Sequence, residues 1–365
     1  MMYTCAPAGA SGATRTVKTR KRGSLRVDIH CHYLNTDVAA RVAGRTPPEA
    51  DYLFKFSNEQ TREVNARQAK ERAPKLCDIA VRLADMDRMG IDVQAVSPAP
   101  HQTYYWAEPG EGRELSRAVN ERLAEIAAQH PERFVPMGTV PLQDAGLAVE
   151  ELVHCVKTLG MRGVEINPSV RGMDLTDERL ALERFFAKAE ELGIVLFMHP
   201  IGFTHGERLS AHYFNNVIGN PLETTVAASH LIFDGVLERH PKLKIVLPHA
   251  GGFLAHYWAR MDHAWAARPD CRGRIRRRPS SYLERFYFDT ITFDRGLLKR
   301  LVERFGEDHV LLGTDYPYDM GVERPVELVE GVAGLSAAGR AAVLGGNAAR
   351  LLKIDYNRAQ RRRSR

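Results

Sequence analysis

His30 and His32 stand two residues apart in "VDIHCHYLN", at the end of a short run with a β pattern. Side chains on a strand alternate between faces, so the two imidazoles of such a pair aim at one point in space. Taken alone, the pair reads either as two core or surface histidines or as half of a metal site. Three further polar residues end runs of the same kind: His199 in "IVLFMHP", His249 in "KIVLPHAG" and Asp315 in "VLLGTDYP". Neutral imidazole and carboxylate form the ligand set of zinc and its neighbours among the divalent metals. Five such groups gathered at one rim favour the metal reading, with Cys31 turned away from it into packing.

The elements that must position these groups recur along the chain. Eight runs rich in β-branched and apolar residues fall at 25–32, 93–100, 134–142, 163–169, 194–200, 244–251, 286–291 and 310–317. Amphipathic stretches separate them, such as "RELSRAVNERLAEIAAQH" (113–130) and "DERLALERFFAKAEELG" (177–193), with apolar residues at three- and four-residue steps. Strands alternating with helices imply a parallel sheet, and eight such units match a (β/α)₈ TIM barrel. A doubly wound sheet is the competing arrangement, but no GxGxxG follows the first run. In a barrel of this type, functional groups collect at the C-terminal ends of the strands, where the four histidines and Asp315 fall. One connection breaks the rhythm: residues 33–78 far exceed an ordinary loop. Within it "SNEQTREVNARQAKERA" (57–73) reads as an exposed helix or a mobile flap over the rim.

Charge and cysteine usage narrow the class of partner. The chain of 365 residues carries a formal charge of +6, yet residues 1–24 hold five basic and no acidic residues, as do residues 358–365. Removing those ten charges leaves −4 on the body, so the basic balance belongs to the tails and gives no case for nucleic acid. The expected organisation is a basic, disordered N-terminal tail (1–24), one barrel domain (25–357) and a basic C-terminal tail (358–365). A short transit-like leader or an over-long start would give the N-terminal segment the same composition. No apolar run approaches the roughly 20 residues of a membrane span. The five cysteines are scattered without CxxC spacing, which suits a reducing cytoplasm better than a disulfide framework.

The chain resembles the metal-dependent amidohydrolase superfamily, and within it the branch of aminocarboxymuconate-semialdehyde and benzoate decarboxylases. The resemblance is carried by "VDIHCH", "LADMDRMGIDVQAVSPAP", "PERFVPMGTVPLQD", "FMHP", "GVLERHPKLKIVLPHAGG", "RMDHAW", "RPSSYLERFYFDT" and "LLGTDYPYDMG". It implies a (β/α)₈ fold and makes His30, His32, His199 and Asp315 the ligands of one divalent ion, zinc first and manganese as the alternative. It makes His249 an acid/base beside the ion rather than a ligand. Binuclear members of the superfamily commonly bridge two metals with a carboxylated lysine on the fourth strand. "GVEINPS" has no lysine there, which favours a single ion. Glu165 on that strand could bridge a second ion, or could hydrogen-bond a ligand histidine.

By resemblance the reaction is a non-oxidative decarboxylation of an unsaturated or aromatic carboxylate, with His249 or Asp315 delivering the proton to carbon. Hydrolysis of an amide, ester or lactone would use the same parts and is the alternative. Tyr104, Tyr105 and Trp106 follow the second strand, where they could stack on a planar acid or simply pack the rim. Arg260 and Arg268 follow the sixth. In the resembling branch, an arginine at the place of Arg268 binds a substrate carboxylate across a homodimer interface, and a surface ion pair is the other reading. The branch's substrate-binding arginine in the first insertion has no clear counterpart among Arg67 and Arg72. The loop after the fifth strand carries His205 and Arg208 in place of a tryptophan.

Overall fold

The computed structural model describes residues 24–354. The expectations for residues 1–24 and for the C-terminal tail fall, apart from Ser24, outside the described residues. Eight strands lie parallel and adjacent in chain order, and we label them β1 to β8: Val27–Tyr33, Val93–Pro98, Phe134–Thr139, Gly163–Ile166, Val195–Met198, Lys244–Leu247, Tyr287–Asp289 and Val310–Leu311. The segment after β8 closes the sheet on β1. Ile29 N donates to Leu312 O at 2.9 Å, Asp315 N to His30 O at 2.8 Å and His32 N to Tyr316 O at 2.9 Å. Eight parallel strands closed in this way form the (β/α)₈ barrel that the alternation of patterns implied.

The barrel has two apolar layers. Its interior is filled by Val27, Ile29, Val93, Ala95, Met137, Val195, Phe197, Val246 and Leu311, while a larger shell lies between the sheet and the helices. The helix Pro109–Gln129 shows how the outer shell is built. Pro109 opens its first turn, and Leu115, Val119, Leu123 and Ile126 form one buried stripe at three- and four-residue steps. The stretch 177–193 is shorter as a helix than its apolar pattern. Ala181 adopts a left-handed φ of 49°, so a single 3-10 turn at Glu178–Leu180 precedes the helix Glu183–Leu192.

The long excursion after β1 is largely helical. Asn58 caps the helix Glu59–Cys77, its side-chain oxygen accepting from Thr61 N. This insertion is tied to the rim: Arg72 pairs with Asp319 at 3.0 Å and lies over the Tyr318 ring, and Asn58 N donates to Ser210 O at 2.9 Å. A small antiparallel hairpin, Ser169–Val170 with Met173–Asp174, follows β4 and was not foreseen. Among the described residues, no helix is long and apolar enough to cross a membrane.

Candidate metal centre and acid/base site

Strict alternation does not by itself carry the two histidines of β1 inward. Val27 and Ile29 face the barrel interior, and so do His30 and His32, although 29 and 30 are neighbours. The pairing of β1 with β2 shifts register between Asp28 and Cys31, and this irregularity resets the pleat. Cys31 then points outward into the shell, as expected. Asp28 holds the irregular segment: Oδ1 accepts from His30 N and Thr314 N at 3.1 Å each, and Oδ2 from Thr314 Oγ1 at 2.7 Å. The same carboxylate therefore joins β1 to the segment that carries Asp315.

His30, His32, His199 and Asp315 come together, each buried, with one potential ligand atom from each lying within 4.8 Å of all the others. His30 Nε2 and His32 Nε2 are 3.1 Å apart, and Asp315 Oδ1 is 3.3 Å from both. An ion with bonds of about 2.1 Å would space adjacent ligands about 3.0–3.4 Å apart. The hydrogen bonds behind the rings make a cation the natural occupant. His32 Nδ1 faces Pro98 O at 3.0 Å, and a carbonyl only accepts, so Nδ1 carries the proton. His30 Nδ1 likewise faces Asp289 Oδ2 at 2.7 Å. In the neutral rings both Nε2 lone pairs then point at each other and at a carboxylate oxygen, an arrangement that repels itself without positive charge between them.

His199 completes the set differently. Both of its ring nitrogens are buried without a hydrogen-bond partner. Burial and the neighbouring imidazoles of His32, His30 and His249 hold its pKa well below the ordinary histidine value, so it is a neutral ring with a free lone pair. Phe197 floors the group, its ring edge-on to His30 at 4.8 Å between centroids.

His249 stands beside this cluster. Its Nε2 is 3.7 Å from Asp315 Oδ2, the oxygen turned away from His30 and His32, and its Nδ1 has no partner. It lines a cavity of about 350 Å³ with Val217, Ile291, Phe293 and Met320. Both His249 and Ala250 have left-handed backbones, φ 53° and 55°, a conformation that costs non-glycine residues about 1–2 kcal/mol each. Asp289 holds this turn. It ends β7 in "YFDT" by the same rule that singled out His199, yet it was not among the expected site residues.

The other expected residues lie elsewhere. Tyr105 is buried and Trp106 partly so, and with Tyr104 they line a second cavity of about 640 Å³ under the insertion, among Tyr52, His101, Asn167 and His205. Arg171 pins that segment by donating to the carbonyls of Tyr105, Trp106 and Ala107. Arg260 and Arg268 are exposed, line neither cavity of their own chain, and Arg268 pairs with Asp270 at 2.8 Å. Glu165 is fully buried; its Oε2 accepts from Ser97 Oγ at 2.5 Å and lies 3.3 Å from His32 Nδ1, while its Oε1 has no hydrogen-bond partner.

Known proteins share this architecture. A 5-carboxyvanillate decarboxylase from Sphingomonas paucimobilis superposes with a TM-score of 0.81 at 26% identity, covering 91% of this chain and 99% of its own. A dihydroxybenzoic acid decarboxylase from a Polaromonas species, solved with bound manganese and 2-nitroresorcinol, shares the fold at 24% identity. Its TM-score is 0.75 over 92% of this chain and 99% of that one. The 2-amino-3-carboxymuconate-6-semialdehyde decarboxylase of Dictyostelium discoideum is 33% identical over 282 residues, 77% of this chain and 78% of the relative. The amidohydrolase family pattern matches residues 27–354. With that match spanning the whole barrel and its rim cluster, the chain belongs to the amidohydrolase family, in the branch of the 2-amino-3-carboxymuconate-6-semialdehyde decarboxylases.

Proposed function

We propose that the protein is a metal-dependent carboxy-lyase that releases carbon dioxide from an unsaturated or aromatic carboxylate. The observation that carries this reading is the convergence of two imidazole lone pairs and one carboxylate oxygen at 3.1–3.3 Å, with a further imidazole at the wall of the adjoining cavity. His30, His32, His199 and Asp315 would hold one divalent ion, zinc first and manganese second. Such an ion, when bound, supplies a Lewis-acid contact for a substrate oxygen and draws electron density from the conjugated system. His249 holds a proton at the cavity wall and delivers it to the carbon that bears the carboxylate. The C–C bond then breaks, its electron pair returns to the conjugated system and carbon dioxide leaves. Asp315 serves this step through Oδ2, the oxygen nearest His249. The apolar side chains of the buried Ile291 and the half-buried Met320 limit water at the reacting carbon.

The active unit in this reading is a homodimer in which Arg268 serves the partner's site, and the protein works in the cytoplasm. Support for the dimer comes from the exposure of Arg268, and from the exposed apolar side chains of Val217 and Phe293 at the cavity and of Tyr257, which follows the cavity-lining His256.

The test is metal analysis of protein purified without added metal, followed by a CO₂-release screen over hydroxybenzoates and muconate semialdehydes in ¹⁸O-water. About one ion per chain, stoichiometric CO₂ and no ¹⁸O in the organic product are expected. Incorporation of ¹⁸O without CO₂ would replace this reading by hydrolysis of an amide, ester or lactone. Two tightly bound ions per chain would promote Glu165 to a ligand.

A further inference from the structure

The carboxylate of Asp289 is fully buried at the end of β7 and takes four hydrogen bonds from three places in the chain. Oδ2 accepts from His30 Nδ1 at 2.7 Å and from His249 N at 2.9 Å. Oδ1 accepts from Ala250 N at 2.8 Å and from Ile291 N at 3.1 Å. One oxygen thus holds both the ring that points at the cluster and the backbone of the residue that faces the cavity.

The turn it grips does not hold itself. His249, Ala250, Gly251 and Gly252 all have positive φ, and two of the four are not glycine. The turn has little room to drift, because a Cβ on Gly251 would meet the Phe288 ring at 2.6 Å and one on Gly252 would meet Pro221 O at 2.3 Å. Packing thus confines the glycine end, while the hydrogen bonds to Asp289 hold the His249 end.

We infer that Asp289 is a positioning residue that couples the ligand His30 to the turn carrying His249, so that one carboxylate sets both the direction of the ligand's lone pair and the place of the acid/base imidazole. The inference rests on the proposed roles of His30 and His249, and it assigns Asp289 no contact with substrate. An ionised carboxylate has no proton to give, so all four of its contacts are N–H to oxygen. An amide in its place fails on one side or the other. With the NH₂ toward His30, it opposes Nδ1–H and the His249 N–H, and the ring is driven to the tautomer that protonates Nε2. With the NH₂ toward Ala250, it opposes the Ala250 and Ile291 N–H groups and frees the turn.

Three variants test this. Asp289→Asn should bind zinc about 10–100-fold more weakly, read by competition with a chelator. Its kcat should stay at least about tenfold below wild type when zinc is saturating, because the imidazole of His249 is displaced. Adding Ala250→Gly to Asp289→Asn supplies a residue that takes the left-handed conformation without strain. Turnover at saturating zinc should then recover severalfold while zinc affinity stays weak, a split that a merely structural aspartate would not produce. Ala250→Val, a β-branched residue at positive φ, disturbs the turn without touching Asp289 or a ligand, and keeps the question open to test if Asp289→Asn does not fold. It should weaken zinc binding through the shared carboxylate. Unchanged zinc affinity in Ala250→Val would overturn the coupling, as would wild-type kcat in zinc-saturated Asp289→Asn. The zinc measurements need no substrate, so an absence of CO₂ release from the wild type would refute the proposed reaction and leave this inference standing.

Discussion

His249→Asn separates the proton-transfer role from the ligand role. Its backbone φ of 53° lies where asparagine is among the best tolerated of the non-glycine residues, so the turn keeps its shape. The bond from residue 249 to Asp289 runs from the backbone amide and survives the change. The four ligand atoms grouped within 4.8 Å do not include the His249 ring, so metal content should stay at the wild-type level. What is lost is the imidazole at the cavity wall. Asp315 Oδ1 faces His30 and His32, which leaves Oδ2 as its only oxygen turned toward His249. His256 also lines the cavity but is solvent-exposed. With no equivalent donor in place, turnover should fall by about 10²–10⁴-fold, an increase in the barrel's activation barrier of about 2.7–5.5 kcal/mol. The assay is CO₂ release at saturating metal and substrate, with elemental analysis and a thermal melt on the same preparation. A loss below about tenfold would mean that Asp315 Oδ2 or water delivers the proton. An emptied metal site would mean that His249 is a ligand.

Asp315→Ala removes a charged ligand, and both bound metal and activity should disappear together. Gly313→Ala would place a Cβ 2.9 Å from that of Asp289 and 3.1 Å from that of His30. It should cost about 1–3 kcal/mol of stability, read by denaturant unfolding, and weaken metal binding as well. Burial pushes the Glu223 carboxyl above its ordinary value. Its neutral form therefore favours the folded state, and the stability it contributes below the unfolded pKa is lost as pH rises through the folded one. Glu223→Gln should then raise the melting midpoint relative to wild type more at about pH 8 than at about pH 4. Mixing Arg268→Ala subunits with His249→Asn subunits should restore activity well above either parent after exchange, because one site then combines an intact His249 with the partner's Arg268. No recovery in a verified heterodimer would place the action of Arg268 within its own chain.

The part of the site that was legible in the sequence is the part written in single strands. His199 continues the inward parity of Phe197, so local alternation and strand-end position suffice to place it, whereas Asp315 lies four residues beyond β8 with a left-handed φ of 57° and is placed by its backbone bond to His30 O. The β1 pair was found by a rule that holds only over its last three residues. Alternation alone would set Asp28 beside His30 and His32, whereas Val27 and Ile29 are the inward residues. The reset depends on Thr314, which lies 286 residues away and donates to Asp28 from both its backbone and its hydroxyl. Nothing local in "VDIHCH" announces it. The aromatic run 104–106 stood out in the sequence, but the cavity that it lines did not. Its course is fixed by the side chain of Arg171, which gathers three successive carbonyls and draws the segment to the larger cavity.

Asp289 shows why a position can satisfy a sequence rule and still be missed. It ends a strand, as the predicted ligands do, but its importance comes from what reaches it and not from what it reaches. Its four donors come from β1, from the turn after β6 and from the loop that follows its own strand. Such convergence exists only once the barrel has closed, because closure is what brings β1 within reach of β7. The same closure brings Asp315 to His30 and His32. A metal bound by residues of β1, β5 and the β8 segment would therefore be a clamp on the seam of the barrel as well as a reagent at its mouth. Its removal should loosen the β1–β8 junction before the helices, in the order that amide exchange would read.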